Sequence, residues 1–205
     1  MKKIMFNDRY GLTNAVIGMR KTQTRRVEPD TKFENVAEHA DSLEYEDGYI
    51  VAYYNGKEIG RHKCNYKVGE VVAVAQRYSA FVEPDHSFAF VNANGIPMVA
   101  RADQLEGWHN KMYVLADLMP YRIRITGVKA ERIQDISVDD CFKEGIMMED
   151  DGISPLYYFL DCKHNGFVYG RTPQESFQSL INRISGSHLW DNNEWVIAYE
   201  FRLVM

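Results

Sequence analysis

The sequence predicts an α+β domain with a curved, barrel-like sheet and a few short helices. Segments rich in β-branched and aromatic residues outnumber the segments with helical spacing. Short Asp-Gly and Asn-Gly turns separate them, whereas a doubly wound parallel sheet needs a helix between successive strands. The chain has 205 residues and 45% hydrophobic content, enough to bury about 70% of the extended-chain surface. We therefore expect a single domain over residues 1–205, with apolar helix faces covering the sheet.

The start of the chain predicts a helix that leads directly into a strand. The helix is indicated by apolar residues along one helical face, namely Leu12, Ala15, Val16 and Met19. Asn7 or Asp8 is expected to cap it. The next residues alternate as in a strand, with Thr22, Thr24 and Arg26 on one side and Gln23 and Arg25 on the other. Lys21 then stands at the junction of the helix and the strand.

Turn residues in the middle of the chain predict two antiparallel units. Asp47-Gly48 and Asn55-Gly56 separate strand-like runs at 43–46, 49–54 and 57–62, which indicates a three-stranded meander. Asn94-Gly95 separates a second pair of runs, and Pro97 confines the later run to an edge or an irregular stretch.

A very short helix is predicted near residue 140. Ser137 and Asp140 form a capping box, and Gly145 is placed to end the helix. Glu144 occupies its last turn, where a carboxylate opposes the helix dipole at a cost of about 0.3–1 kcal/mol. Glu144 is therefore either a solvated side chain that tolerates this penalty or a functional residue.

A longer helix is predicted from Thr172-Pro173-Gln174-Glu175, which provides an N-cap, a proline at the first helical position and a glutamate at the third. Its apolar face is formed by Phe177, Leu180, Ile181 and Ile184.

The charge distribution favours a small ligand. The net charge is −5, so the chain lacks the global positive field that supports tight binding to long nucleic acids. Cations are instead concentrated locally, at Arg20, Lys21, Arg25 and Arg26, with Arg122, Arg124, Lys129 and Arg132 later in the chain. Alternatively, Arg20 and Lys21 only complement the negative end of the helix that precedes them. A negative net charge combined with a local group of cations suits a single nucleotide better than a duplex.

The sequence predicts neither a metal site nor any other cofactor, and the cysteines favour a reducing environment. Cys64, Cys141 and Cys162 are odd in number and widely spaced, which predicts neither a disulfide framework nor a zinc site. We therefore expect a reducing, cytoplasmic environment.

The apolar run after Lys2 and Lys3 is too short for a signal peptide, and no later run approaches the roughly 20 residues of a membrane span. No membrane association is expected.

Four stretches occur in the order that is typical of one protein family. The first helix is followed by Gly18-Met19-Arg20-Lys21-Thr22-Gln23-Thr24-Arg25-Arg26. The others are YKVGEVVAV at 66–74, RIRITGVKAERIQDISVDDCFKEGI at 122–146 and WDNNEWVIAYEF at 190–201. Together they resemble the ASCH domains, a PUA-like family that typically begins with Gly-Arg-Lys-Thr-x-Thr-Arg; Met19 is inserted here. The last stretch is similar to the closing strand of the larger phage and bacterial members.

The resemblance implies a fold and a cleft. The fold would be a PUA-like mixed β-barrel flanked by short helices, with a strand, a hairpin and a short helix over residues 122–146. Residues 27–65 and 79–118 would be β-rich insertions that roof the cleft.

The resemblance also implies a set of site residues. Bacterial N4-acetylcytidine amidohydrolases are small ASCH proteins that use a lysine and a threonine from the first segment and a glutamate from the second helix. By motif, these residues are Lys21, Thr24 and Glu144. Thr24 would attack the amide, Lys21 would accept its proton and Glu144 would protonate the leaving amine. The expected substrate-binding residues are Arg20, Thr22, Arg25 and Arg26.

Three functions remain open from the sequence. The first is recognition of a modified nucleoside or an exposed RNA base, with hydrolysis of an N4-acylcytidine amide. The second is a non-catalytic module for single-stranded RNA, in which Arg25 and Arg26 hold phosphate and bases stack on Tyr45, Tyr49, Tyr53 and Tyr54. The third is a phage accessory protein that acts through protein contacts.

Overall fold

The computed structural model describes residues 1–150, 152, 154–185 and 189–204, and it confirms the α+β class. The chain divides into two compact units. The first contains Met1–Phe6, Val71–Ile123 and the residues from Leu203 onward. The second contains Asn7–Glu70 and Arg124–Arg202, and it holds all the predicted site residues.

The helices, in chain order, are α1 (Leu12–Ile17), α2 (Thr31–Ala37), α3 (Val138–Lys143) and α4 (Pro173–Ser185). The strands are β1 (Lys3–Ile4), β2 (Gln23–Arg26), β3 (Ser42–Glu46), β4 (Tyr49–Tyr54), β5 (Lys57–Lys63), β6 (Val71–Val74), β7 (Ser87–Val91), β8 (Pro97–Arg101), β9 (Arg122–Arg132), β10 (Met147–Glu149), β11 (Leu156–Asp161), β12 (Gly166–Gly170) and β13 (Trp195–Val204).

The first unit combines short strands and 3-10 turns around a small core. β1 lies parallel to β6, and β7 pairs with β8 across the predicted Asn94-Gly95 turn. Tyr78 is 1% exposed and packs among Ala73, Ala75, Phe88, Ala102, Val114 and Met119. Its hydroxyl accepts a hydrogen bond from the Leu115 amide at 2.9 Å.

The second unit contains the strands that position the site. β2 runs antiparallel to β13, with Thr24 opposite Tyr199. The predicted meander is confirmed as β3–β4–β5, and a further antiparallel sheet is formed by β10–β11–β12. Helix α4 packs on β11 and β12, where Ser176 Oγ donates a hydrogen bond of 2.8 Å to the carbonyl of Tyr157.

The described strands do not close into a barrel, contrary to the expectation from the sequence. In the second unit, β3–β5 and β10–β12 pair among themselves instead of extending the sheet that contains β2 and β13. The hairpin implied within residues 122–146 is also wrong, because β9 is one continuous strand. Gly127 does not adopt a positive φ, and no turn interrupts the strand there.

Helix α1 is shorter than the apolar spacing predicts. Its N-cap is Gly11, at φ 65°, while Asn7 caps the 3-10 turn that precedes it. Met19 lies beyond the helix, 70% exposed and at φ 58°, so it does not extend the apolar face.

The caps of the two later helices are confirmed. The Ser137 side chain accepts a hydrogen bond from the Asp140 amide at 3.1 Å, and Gly145 follows α3 at φ 108°. The Thr172 side chain accepts a hydrogen bond from the Glu175 amide, also at 3.1 Å.

Candidate functional site

Main-chain hydrogen bonds fasten the segment between α1 and β2 to the end of α3. The carbonyl of Ala15 accepts a hydrogen bond from the Lys21 amide at 2.9 Å. The Thr22 amide donates to the carbonyl of Lys143, also at 2.9 Å. These bonds place Lys21 next to Glu144.

Lys21 and Glu144, 123 positions apart in the sequence, form a buried ion pair. Lys21 Nζ lies 2.5 Å from Glu144 Oε2 and 2.9 Å from the main-chain oxygen of the same residue. Lys21 is 2% exposed and Glu144 is 5% exposed. Burial lowers the pKa of Lys21, although the adjacent carboxylate opposes this effect. The structure thus brings together two of the three predicted catalytic residues.

Arg25 occupies the other side of Glu144 and is 6% exposed. Its Nη1 donates to Glu144 Oε1 at 3.0 Å and to the side-chain oxygen of Gln23 at 2.6 Å. Nε donates to Glu131 at 2.7 Å, and Nη2 donates to Asp140 at 2.9 Å. Each guanidinium nitrogen therefore has an acceptor inside the protein. Arg25 holds carboxylates together, whereas it was expected from the sequence to bind substrate or, in the alternative RNA-binding module, phosphate.

Asp140 is the second buried carboxylate that contacts Arg25. Lys129 Nζ lies 2.9 Å from Asp140 Oδ2 and 2.9 Å from Glu131 Oε2. Burial raises the pKa of Asp140, but the hydrogen bonds and positive charges of Lys129 and Arg25 outweigh it and lower the pKa to about 2. We refer to six residues as the charge cluster: Lys21, Arg25, Lys129, Glu131, Asp140 and Glu144. Its three cations and three carboxylates balance.

An open groove of about 510 Å³ lies beside the charge cluster. Arg20 and Thr22, which flank Lys21 in sequence, line it, as does Lys143, which precedes Glu144. The other lining residues are Met19, Asp139, Phe142, Ile146, Met147, Met148 and Tyr158. The volume of this groove falls within the range of about 300–1,000 Å³ that is typical of small-molecule sites, although the groove is open and four of its ten lining residues are polar or charged.

Thr24 and Arg26 lie on the opposite side of β2 from Gln23 and Arg25, as strand alternation predicts. Thr24, the expected nucleophile, is 7% exposed and is paired with Tyr199. Its hydroxyl takes no part in the hydrogen bonds described above for Lys21 and Glu144.

Four residues of the site had no functional role predicted from the sequence: Glu131, Asp140, Phe142 and Tyr158. One signal was available for Asp140, because it precedes Glu144 by four positions and so shares its helix face. Glu131 and Tyr158 lie on strands far from β2 in sequence, and no spacing pattern connects them to it.

Within the described ranges, no three His, Cys, Asp or Glu side chains are grouped as ligands of a metal ion. The carboxylates of the charge cluster face cations instead. Among the helices that the structure describes, none is long and apolar enough to cross a membrane.

Comparison with known protein families, with curated proteins and with solved structures finds no match to this chain. Its function is therefore proposed from the chemistry of the groove and the charge cluster.

Proposed function

We propose that the chain recognises a modified nucleoside, or an exposed base of single-stranded RNA, in the groove beside the charge cluster. The observation that carries this proposal is the lining of the groove. It combines the aromatic side chains of Phe142 and Tyr158 with the guanidinium group of Arg20, while Lys143 lines the groove as an ion pair with Asp139. Aromatic faces stack on heterocycles, and guanidinium groups bind phosphate or carbonyl oxygens. The resemblance to ASCH domains, with their PUA-like fold, supports the same class of ligand.

Arg20 is the groove residue best placed to orient a ligand. Its Nη1 donates a hydrogen bond of 2.8 Å to the carbonyl of Gly145, which restrains the side chain. The residue nonetheless remains exposed at the groove. A restrained donor loses little conformational freedom when it binds, which increases affinity.

Hydrolysis of an N4-acylcytidine amide is a second candidate, and the Lys21–Glu144 pair favours it. Transfer of one proton from Lys21 Nζ to Glu144 Oε2, across 2.5 Å, would give a neutral amine and a protonated carboxyl. These are the base and the acid that amide hydrolysis requires. The mechanism also requires the Thr24 hydroxyl to reach the acyl carbon, whereas Thr24 lies on the opposite side of β2 from Arg25 and is not among the residues that line the groove.

Titration of the chain with cytidine and N4-acetylcytidine tests the recognition proposal. We expect saturable binding in calorimetry, and we expect Arg20→Ala to weaken it about tenfold because a charge-assisted hydrogen bond is lost. Arg61→Ala is the matched control, since this arginine is exposed and lies outside the groove. Absence of binding by both nucleosides would refute the proposal.

Acetate release from N4-acetylcytidine, followed by NMR, tests the second candidate. Turnover should disappear in Lys21→Met and Glu144→Gln, with the fold of each checked by circular dichroism, and persist in Arg61→Ala. Binding of the nucleosides without turnover would reject hydrolysis and leave recognition in place. Steeply salt-dependent binding of single-stranded RNA, without turnover, would favour the non-catalytic RNA-binding module.

A further inference from the structure

The sheet β10–β11–β12 presents an outer face that is continuous with the groove. Strand pairing places Tyr158 opposite Tyr169, and Leu160 opposite Phe167, so these side chains share one face. The alternate residue Phe159 belongs to the inner face and is 1% exposed. Helix α4 packs against β11 and β12.

Three aromatic rings on the outer face contact one another. The ring centroids of Tyr158 and Phe167 are 5.1 Å apart, those of Tyr158 and Tyr169 are 5.6 Å apart, and those of Phe167 and Tyr169 are 6.4 Å apart. Phe167 is 51% exposed and Tyr169 is 53% exposed. We refer to these three residues as the aromatic platform. Exposed rings of this kind offer aromatic faces on which a heterocycle can stack.

The aromatic platform adjoins the groove through Tyr158, which belongs to both. Met147, which is paired with Tyr158 on the neighbouring strand, also lines the groove. A ligand that extends out of the groove past Tyr158 therefore meets Phe167 and Tyr169 next.

The cations around the aromatic platform complement a phosphate chain. Lys163 is exposed in the turn between β11 and β12, and Arg171 is exposed immediately after β12. Arg20 lies in the groove itself. Among the described residues, the acidic Glu149 is placed on this face by its pairing with Leu156, and Asp139 lines the groove with Arg20. Exposed rings flanked by cations bind single-stranded nucleic acid, because every base has a face that can stack.

We infer that the aromatic platform stacks the bases of single-stranded RNA that continue from the base held in the groove. This inference rests on the proposed function and specifies its substrate as RNA rather than a free nucleoside. An apolar protein partner would need only apolar area, whereas stacked bases need the rings themselves and the cations that flank them. The arrangement of rings and charges thus favours RNA.

Fluorescence anisotropy with a labelled octamer of single-stranded RNA, and the full chain, tests this inference. Phe167→Ala and Tyr169→Ala should each weaken RNA binding about tenfold, as expected for the loss of one base–ring stack. Phe167→Leu should weaken binding similarly, since it retains apolar area but removes the ring. Tyr113→Ala is the matched control, because Tyr113 is 55% exposed, belongs to the first unit and lines neither the groove nor the aromatic platform, so its loss should leave the affinity unchanged.

Calorimetry with N4-acetylcytidine on the same variants separates the inference from the proposed function. Nucleoside binding that is unchanged in Phe167→Ala and Tyr169→Ala, together with weakened RNA binding, supports the inference. It is overturned if the unmodified chain binds nucleoside but not RNA, or if Phe167→Leu retains full RNA affinity, as an apolar protein site would. Failure of the nucleoside itself to bind would instead contradict the proposed function, in which the groove binds the nucleoside.

Discussion

At the scale of single residues, the Lys21–Glu144 pair is the most informative interaction in the site. Two opposite charges have been taken out of water, and each depends on the other for compensation. Lys21→Met leaves Glu144 with Arg25 as its only partner among the contacts described above. We expect this substitution to lower the free energy of unfolding by about 3 kcal/mol, measured by urea denaturation.

A double-mutant cycle provides the control for this prediction. The variant that combines Lys21→Met with Glu144→Leu should be less destabilised than the sum of the two single variants, because neither charge is left behind. Arg61→Ala, which removes an exposed ion pair with Glu58, should cost less than about 1 kcal/mol. If the losses in free energy of unfolding were strictly additive in the cycle, Lys21 and Glu144 would not stabilise each other.

Asp140 predicts a dependence of stability on acid pH. Its pKa in the folded chain is lowered to about 2 from the ordinary value of 3.8. Because the folded pKa lies below the unfolded one, the stabilisation is complete above about pH 5 and is lost as the pH falls through the folded pKa. We expect about 2 kcal/mol of stability to disappear over this interval, measured as urea midpoints at successive pH values.

The neighbouring aspartate offers a matched control for the pH experiment. Asp140→Asn should flatten the stability curve below pH 5, although the variant is less stable at pH 7. Asp139, whose side chain is 76% exposed, contacts Lys143 at the surface. Asp139→Asn should therefore leave the shape of the curve of stability against pH unchanged. An equal effect of the two substitutions would contradict the assignment of the acid-dependent stability to Asp140.

The sequence predicted individual site residues only where a local motif marked them. Lys21 and Glu144 were named together through a family resemblance, and the structure places them in contact. Glu131 was not assigned a role, because its contact with Arg25 spans 106 positions and depends on how β9 lies relative to β2. Arg25 was expected to bind substrate, since sequence spacing does not reveal that Gln23, Asp140 and Glu144 surround it.

At the scale of elements, β12 and α4 meet so closely that one position requires glycine. A Cβ on Gly170 would lie 2.6 Å from Ser176 Oγ and 2.7 Å from the Ser176 amide nitrogen. Gly170→Ala should therefore force β12 and α4 apart and cost about 1–3 kcal/mol of stability, measured as a lower midpoint in thermal denaturation.

Gly166, at the other end of β12, is the matched position. A Cβ there would have its nearest neighbour at 3.7 Å, which is ordinary van der Waals contact. Gly166→Ala should leave the melting temperature nearly unchanged. Equal melting temperatures for the two alanine variants would show that the close approach at Gly170 does not limit the packing.

Elements with strong local signals were predicted well from the sequence. The meander β3–β4–β5 has Asp-Gly and Asn-Gly turns, and α3 and α4 have capping residues that form the expected hydrogen bonds. Helix α2 was missed within the insertion assigned to residues 27–65, although Asp30 caps it by accepting a hydrogen bond from Phe33. Only seven residues form this helix, too few for a clear apolar period.

At the scale of the whole molecule, the net charge of −5 means that the salt dependence of RNA binding depends on local cations, because it reflects the number of phosphates that they neutralise. If Arg20, Lys163 and Arg171 are the cations that contact phosphate, log K should fall against log salt with a slope of about −2. Anisotropy titrations of the RNA octamer over a range of KCl concentrations measure this slope. A slope steeper than about −5 would point to a larger basic surface than these three residues provide.

The fold class followed from composition and turn chemistry, but the arrangement of the sheets did not. Whether strands close into a barrel depends on which edges pair, and edge pairing involves residues far apart in sequence. The segment 122–132 contains a glycine but lacks the Asn-Gly or Asp-Gly pair of the confirmed hairpins, and it forms one uninterrupted strand. In this chain, an Asn-Gly or Asp-Gly pair therefore predicts a hairpin, whereas a lone glycine such as Gly127 does not.

The separation of 123 positions between Lys21 and Glu144 also bears on biosynthesis. While the ribosome is still translating the middle of the message, Lys21 has emerged but its partner has not been made. The amino-terminal segment must therefore keep its ammonium group hydrated until α3 leaves the exit tunnel. A stalled nascent chain that ends before residue 144 should expose Lys21 to amine-reactive reagents from which the finished protein shields it.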